Sequence, residues 1–243
     1  PSRGHNGRRQ AENPLIPLSK FARPPLWDYF HGISAVKRMQ GMFNNVLVAQ
    51  GAFSLYRKDA LLSVGGWSAE TVGEDIVATW AMIDKGYLIR HAEDAISWTY
   101  VPTTFSELVK QRKRWARGMI EALHLHRGLL LRRRLTTMFF YWNLLFVSVD
   151  LAFTFAFVPG LVLAAVGYYW LAGIITLLLL PLAALWNIIL YRIQSRMLED
   201  QGIKMKKSLR GFAFFAIIYP FIMQPASVLG YAAELFGGKK QWG

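Results

Sequence analysis

The sequence predicts a partial α/β domain followed by an all-α membrane domain of about three transmembrane helices. Two observations support this division. Of the 28 Lys and Arg residues, 20 lie in residues 1–134, where short apolar runs alternate with helical patterns. Residues 135–191, in contrast, contain no Lys, Arg or Glu and a single Asp. A soluble core does not require so long a segment with one charge, whereas a lipid bilayer does.

The composition of the whole chain excludes several classes of protein. Its 243 residues are 53% hydrophobic, which is enough apolar surface to exclude a disordered chain, and the absence of Cys excludes a disulfide scaffold. The net charge of +13 could indicate nucleic-acid binding. The basic residues flank the apolar segments, however, so we expect anionic membrane lipids and phosphate groups as partners and no nucleic acid. The chain begins with Pro1 and shows no signal peptide there, and we expect a fragment or a processed chain.

Residues 135–243 form the predicted membrane region, because about 20 apolar residues are needed to cross about 30 Å of hydrocarbon. The predicted spans are 138–158, 171–191 and 211–236. The first is predicted to end at Pro159 and the second to kink at Pro181, while Pro220 and Pro225 interrupt the third. Residues 161–170 either extend the first span or lie at the membrane interface.

The distribution of Lys and Arg predicts the orientation of these spans. Three arginines precede the first span, and six basic residues lie in the loop 192–210, so both regions are predicted to be cytoplasmic. The expected location is therefore the cell inner (plasma) membrane, crossed several times, with the side of the C-terminus left open. Asp150 lies in the middle of a span, where a carboxylate is costly. It is either functional or bonded to a neighbouring helix through a residue such as Asn187.

Residues 1–25 are predicted to be loop or partly disordered, since Pro14, Pro17, Pro24 and Pro25 punctuate them. Residues 26–103 form the predicted α/β domain, whose apolar runs indicate buried strands and whose periodic segments indicate helices. The predicted strands are 46–49 (continuing through 51–56), 87–89 and 95–98, and the predicted helices are 26–44, 58–64 and a segment from 71–75 to 84–86.

Residues 104–134 form a predicted amphipathic, basic interface helix and its connection to the membrane region. The helix begins at 102–104, ends near His126 and carries one apolar stripe, formed by Phe105, Leu108, Val109, Ala116, Met119, Ile120 and Leu123. Lys110, Lys113 and Arg117 are predicted on the opposite side. Such a helix could lie on an anionic leaflet. A leaflet does not explain a cluster of Gln111, Arg114 and Trp115 at helical spacing beside the stripe. Arg112 is predicted either to snorkel or to pair with a buried carboxylate.

Two short motifs resemble those of a known family. Gly73-Glu74-Asp75 and Gln111-Arg112-Lys113-Arg114-Trp115 look like the acidic ED motif and the QxxRW motif of membrane-integrated family 2 glycosyltransferases. This family contains the synthases of cellulose, hyaluronan, chitin and poly-N-acetylglucosamine. The resemblance covers about residues 45–235, and it implies that the α/β part is a partial GT-A-like domain.

The resemblance also implies roles for the motif residues. Asp75, with Glu74 beside it, is the implied catalytic carboxylate, which takes the proton of the acceptor hydroxyl as that hydroxyl attacks the anomeric carbon. Gln111, Arg114 and Trp115 are the implied donor- and acceptor-binding residues. The structural alternatives are that the two acidic residues only cap a helix, and that the indole only packs.

The metal-binding part of the family pattern is missing from this sequence. No Asp-x-Asp occurs anywhere in the chain. We therefore expect the full-length enzyme to use a divalent metal, Mg or Mn, whose ligands are absent here, and we expect this chain alone to be inactive or weakly active.

The resulting functional prediction is a hexosyltransferase that moves a sugar from a nucleotide sugar, a UDP-sugar by resemblance, to a growing polysaccharide with inversion. Processive synthesis coupled to membrane passage is favoured because several spans follow the motifs. The expected partners are the nucleotide sugar, a glycan or lipid acceptor, and membrane lipids. Two alternatives stay open: a non-catalytic membrane subunit that binds or exports polysaccharide, and a non-processive lipid glycosyltransferase.

Overall fold

A computed structural model describes residues 36–43, 45–92, 95, 97, 99, 101–132, 137–171, 173–200 and 209–237. Regular structure in these ranges is mainly helical. The helices are α1 Arg38–Met42, α2 Lys58–Ser63, α3 Glu74–Asp84, α4 Phe105–Leu125, α5 Thr137–Ala152, α6 Val158–Ala165, α7 Ile174–Asp200, α8 Leu209–Ile217 and α9 Tyr219–Leu235, with a 3₁₀ turn Arg127–Leu131 and a π-helical segment Phe153–Phe157.

The predicted strands are represented by one parallel pairing. Asn45 forms a β-bridge with Ile89, and the N–H of Val46 donates to the carbonyl of Ile89 at 3.0 Å. These residues lie in or beside the predicted strands 46–49 and 87–89. Within the described ranges the pairing is a single bridge, so the α/β sheet stays a prediction. The predicted loop 1–25 and much of the predicted strand 95–98 fall outside the described residues.

A buried indole joins this region to the first apolar helix. Trp80 of α3 has 0% exposed surface, and its Nε1 donates to the carbonyl of Leu47 at 3.0 Å. Its ring meets Phe140 of α5 edge to face, with the ring centroids 4.6 Å apart. At the other end of α3, Arg132 forms an ion pair with Asp84. Burial of large aromatic surface and the paired charges therefore hold α3 against the start of α5.

Helix α4 begins where the sequence predicts, because its first turn carries a capping box. The Thr104 side chain accepts from the N–H of Glu107 at 3.2 Å, and the Glu107 carboxylate accepts from the N–H of Thr104 at 3.3 Å and of Thr103 at 2.9 Å. The helix continues to Leu125, one residue before the predicted end.

The apolar stripe of α4 packs against α9. Leu108 packs with Tyr219 and Met223. Ala116, about two helical turns later, packs with Val228. The suggestion that a lipid leaflet covers this stripe is therefore wrong for its buried positions, because another helix of the chain already covers them.

The α4–α9 contact is close enough to involve backbone atoms. A Cβ added to Gly230 would lie 2.6 Å from the Cβ of Ala116 and 2.6 Å from the carbonyl oxygen of Lys113. Beside this contact, Arg117 donates to Glu234 at 3.0 Å, with the two side chains only 10% and 15% exposed. The prediction that Arg117 lies on the exposed side of α4 is wrong, because a carboxylate 117 residues later in the chain pairs with it.

The first predicted span is a long apolar helix. Thr137–Ala165 forms 29 residues of continuous helix with a mean hydropathy of 2.0, and 11% of its most apolar window is buried. It is the one helix in the described ranges that is long and apolar enough to cross a membrane.

The prediction that this helix ends at Pro159 is wrong. Pro159 stands at the second position of α6, directly after the π-helical segment. A proline at the start of a helix loses an N–H that has no partner there, and a π segment shifts the hydrogen-bond register of the preceding turns. The helix therefore passes through the proline, and residues 161–165 extend the first span.

The other two predicted spans correspond to helices that are not, over the described residues, both long and apolar enough to cross a membrane. Helix α7 begins at Ile174, within the predicted span 171–191, contains Pro181 and continues to Asp200. The third predicted span is divided at Ile218 into α8 and α9, two residues before Pro220. The count of three spans therefore stays a prediction.

Asp150 of α5 is paired with a tyrosine of α9. The carboxylate is buried and accepts a hydrogen bond from the Tyr231 hydroxyl at 2.7 Å. Asp150 thus forms a hydrogen bond to a neighbouring helix, as one of the two alternatives suggested, and the partner observed is Tyr231 of α9 rather than the example Asn187. This bond links the long apolar helix to the helix that covers α4.

Substitution of Glu234 tests whether the ion pair holds α4 and α9 together. Glu234→Gln removes the carboxylate that accepts from the nearly buried Arg117, so we expect a loss of about 2–4 kcal/mol and a fall of roughly 5–10 °C in the unfolding midpoint in detergent. The matched control is Asp59→Asn, which removes the carboxylate of an ion pair with Arg57 whose side chains are 77% and 61% exposed. That change should cost less than about 1 kcal/mol. Equal midpoints for the two variants would contradict the account.

Candidate functional site

The predicted acidic pair occupies the first turn of α3. Gly73 is the N-cap and offers no side chain, and Glu74 and Asp75 follow as half-buried residues. One carboxylate oxygen of Asp75 accepts from the N–H of Ile76 at 2.8 Å, and the other accepts from the N–H of Gly51 at 3.3 Å. The carboxylate thus caps its own helix, as the structural alternative proposes, and is also directed toward the loop that contains Gly51.

Two titratable side chains lie within the electrostatic influence of Asp75. The Lys37 ammonium donates to the carbonyl of Val48 at 2.7 Å, and the Tyr56 hydroxyl donates to the carbonyl of Ala49 at 2.8 Å. Burial lowers the pKa of Lys37 to about 7, and the charge of Asp75 opposes this shift. Burial raises the pKa of Tyr56, and the charge of Asp75 adds to that rise. Both side chains precede α2 in the chain, and the pKa of each depends on the charge of the acidic turn.

The predicted binding residues lie together on α4. Gln111 is half-buried, Arg114 is exposed, and Trp115 is 38% exposed. The Arg112 guanidinium lies 4.9 Å from the centroid of the Trp115 ring, and its Nε donates to the sulfur of Met223 at 3.1 Å. Arg112 therefore holds one face of the indole by a cation–π contact.

A contact between two glycines joins the acidic turn to this helix. A Cβ added to Gly73 would lie 2.6 Å from the Cα of Gly118, and a Cβ added to Gly118 would lie 2.8 Å from the Cα of Gly73. Gly118 follows Trp115 by three residues and Arg114 by four, so it continues the same helix face. The backbone of the acidic turn therefore touches α4 one helical turn beyond the guanidinium and the indole.

A buried glutamate supports the same contact. Glu121, with 5% of its surface exposed, accepts hydrogen bonds at one carboxylate oxygen from the N–H of Val72 at 2.8 Å and of Gly73 at 3.3 Å. Sequence reasoning missed this residue. Its signal is that Glu121 lies three residues after Gly118, on the helix face that begins at Gln111, and is one of two acidic residues, with Glu107, on a basic helix.

All five predicted site residues therefore lie on two elements whose backbones are in contact. Glu74 and Asp75 are on one side of the Gly73–Gly118 contact, and Gln111, Arg114 and Trp115 are on the other. Their roles in binding and chemistry stay predictions.

The side chains of the described ranges do not form a metal site. No three His, Cys, Asp or Glu side chains converge there in a way that could hold a metal ion. Glu121 is occupied by backbone donors, and both oxygens of Asp75 accept from N–H groups. We therefore derive no step through a metal.

Comparison with protein families gives an independent result. Residues 22–190 match the family model described as glycosyl transferase family group 2. The match contains both the acidic turn and the helix that carries the Gln, Arg and Trp residues.

Curated relatives align over a shorter segment. The chain is 38% identical over 96 residues to the poly-beta-1,6-N-acetyl-D-glucosamine synthase of Staphylococcus aureus (strain COL), an alignment covering 40% of this chain and 23% of that protein. It is 36% identical over 96 residues to the synthase of the same name from Staphylococcus epidermidis (strain ATCC 35984), with the same coverage of each protein. The aligned chain thus spans about a quarter of these relatives. No solved structure matches the chain.

Substitution of Gly118 tests the contact between the acidic turn and α4. Gly→Ala in an exposed helix interior stabilises by up to about 1 kcal/mol, but here the new Cβ would meet the backbone of Gly73, and such overpacking costs about 1–3 kcal/mol. We therefore expect Gly118→Ala to lower the unfolding midpoint. The control is Gly128→Ala, whose Cβ would have no atom within 4 Å, and it should leave the midpoint unchanged or raise it. A Gly118→Ala protein as stable as the control would show that the two backbones are not in contact.

Proposed function

The chain belongs to glycosyl transferase family group 2, and on this basis we propose that the protein containing it transfers sugar from a nucleotide-sugar donor to a growing polysaccharide. The observation that carries the proposal is the contact of Gly73 with Gly118, which places an acidic helix start against a helix face bearing a guanidinium and an indole. The names of the aligned relatives support N-acetylglucosamine as the sugar and a β-1,6-linked polymer as the product.

In the proposed reaction an acceptor hydroxyl attacks the anomeric carbon of the donor sugar from the face opposite the nucleotide. The new bond joins the acceptor oxygen to that carbon, and the bond between the carbon and the phosphate oxygen breaks. Asp75 takes the hydroxyl proton, and the nucleoside diphosphate leaves with the bonding electron pair. The configuration is therefore inverted. One oxygen of Asp75 is held by its own helix, which fixes the direction of the carboxylate.

Arg114 is the proposed partner of the leaving diphosphate. Its side chain is exposed on α4, and a guanidinium presents a planar fork of donors that suits phosphate oxygens. Positive charge at this position stabilises the negative charge that develops on the leaving group. Gln111, one turn earlier on the same face, supplies a neutral hydrogen bond. Glu74, beside Asp75, adds a second carboxylate to the acceptor side.

Trp115 is the proposed platform for a sugar ring. The Arg112 guanidinium lies against its ring, yet 38% of the residue stays exposed. A flat apolar ring held in this way can stack against the C–H face of a pyranose without losing conformational freedom on binding. This role would place the growing end of the polymer next to the acidic turn.

The proposed location is the plasma membrane, with the site on the cytoplasmic side. The apolar helix Thr137–Ala165 supports an anchor. Arg132, which precedes that helix, is paired with Asp84 at the C-terminal end of α3, so the helix that carries Asp75 is tied to the predicted cytoplasmic end of the span. Further spans and passage of the polymer through them belong to the same proposal.

Substitution of Asp75 in the full-length protein tests this function. Asp75→Asn keeps an oxygen that accepts from the Ile76 N–H, so the helix start should persist while the base is lost. In membranes supplied with radiolabelled UDP-N-acetylglucosamine, we expect kcat to fall by roughly 10²–10⁴, with donor KM changed less than about twofold.

The control for this test is Asp59→Asn, the same change in the first turn of another helix, α2. It should leave polymer synthesis unchanged. Sizing of the labelled product separates the alternatives, since a polymer supports the proposal and a singly glycosylated lipid contradicts polysaccharide synthesis. Full activity of the Asp75→Asn protein would remove this carboxylate from the mechanism.

A further inference from the structure

The turn that precedes Asp75 has no N-cap side chain to fix its conformation. The N-cap of α3 is Gly73, with φ −111° and ψ 62°, and no side chain caps the helix from this position. Glycine has more conformational freedom than any other residue, so an N-cap glycine leaves the entry of the chain into the helix weakly determined. The contact with Gly118 sets the distance between the turn and α4. A van der Waals contact between two glycines does not, however, fix the orientation of the turn.

Hydrogen bonds to Glu121 fix the orientation of this turn. A single carboxylate oxygen accepts from two consecutive N–H groups, those of Val72 and Gly73, at 2.8 and 3.3 Å. These hydrogen bonds join residues 48 and 49 positions apart in the chain and are buried at both ends. A carboxylate that accepts from neutral donors makes stronger bonds than a neutral acceptor, and here the two bonds hold two consecutive peptide units, Thr71–Val72 and Val72–Gly73, relative to α4.

The charge of Glu121 also suits this place. Its carboxylate lies at the N-terminus of α3, where the helix dipole favours negative charge. Because Glu121 is buried and its bonding oxygen is engaged by the backbone, it is not placed to touch substrate. Glu121 can therefore affect the reaction only through the position of the turn.

We propose that Glu121 is a positioning residue for the sugar transfer, fixing the two peptide units on either side of Val72 so that Asp75 meets the acceptor hydroxyl. The inference rests on the proposed function. A misplacement of about 1 Å at a reacting group can reduce a rate by about 10²-fold, so loss of these bonds acts on the chemical step rather than on donor affinity.

The test compares the two glutamates of α4 in the full-length protein. Glu121→Ala, Glu121→Gln and Glu107→Gln are assayed with UDP-N-acetylglucosamine, and rates are divided by the amount of monodisperse folded protein. Glu107 is the matched control, because it too accepts from two backbone N–H groups, but at the start of α4 and far along the helix from the acidic turn.

We expect Glu121→Ala to lower kcat per folded molecule by roughly 30-fold or more, with donor KM changed less than about twofold. Glu121→Gln keeps an acceptor oxygen and should recover part of this loss, to within roughly 3- to 10-fold of the unsubstituted protein. Glu107→Gln should match the unsubstituted protein. Partial rescue by Gln together with an unchanged KM is a pattern that a general loss of folded protein does not produce.

The outcomes separate this inference from the function on which it rests. If the unsubstituted protein transfers no sugar, the proposed function is wrong and the inference falls with it. If transfer occurs and Glu121→Ala has a normal kcat per folded molecule, only the positioning role is overturned. If Glu121→Ala yields no folded protein, Glu121→Gln decides alone, and a kcat equal to that of the Glu107→Gln control overturns the proposal.

Discussion

The arrangement of the site depends on the contact of Gly73 with Gly118. Neither position has room for a Cβ, since the added atom would lie 2.6 or 2.8 Å from the Cα of the other glycine. Two peptide backbones can approach this closely only where both residues lack side chains. The contact brings the first turn of α3, with its carboxylates, against the helix face that carries Arg114 and Trp115. The contact sets how closely the two motifs approach, and neither motif alone has the groups that the proposed glycosyl transfer needs.

Helix α4 is held on both sides, and this connects the site to the membrane region. On one side it meets the acidic turn, and on the other its Ala116 and the carbonyl of Lys113 meet Gly230 of α9. Helix α9 in turn pairs with the long apolar helix through Tyr231 and Asp150. A displacement of α5 or α9 therefore reaches α4 through packed backbone and buried polar bonds. The same architecture explains why buried charge and small residues occur together along α4.

Local features of this structure were predictable from the sequence, and long-range ones were not. The limits of α3 and α4 and the common face of Gln111, Arg114 and Trp115 follow from helical periodicity and from a capping residue, all within a few positions of each other. The burial of Arg117 depends on Glu234, and the partner of Asp150 is 81 residues away, so no local pattern indicates either. The Gly73–Gly118 contact is of the same kind, because a glycine in a sequence shows freedom but not the neighbour that requires it. Passage of the first apolar helix through Pro159 depends on a π-helical segment, which periodicity does not reveal.

The most direct measurement of the central claim is a cryo-electron microscopy structure of the full-length protein in a lipid nanodisc with a bound UDP-sugar. The account predicts that the diphosphate lies beside Arg114, that the sugar lies between the Trp115 ring and the Asp75 carboxylate, and that the backbones at positions 73 and 118 are in van der Waals contact. A structure in which Asp75 and Trp115 open onto different surfaces, with the nucleotide sugar bound away from one of them, would contradict it.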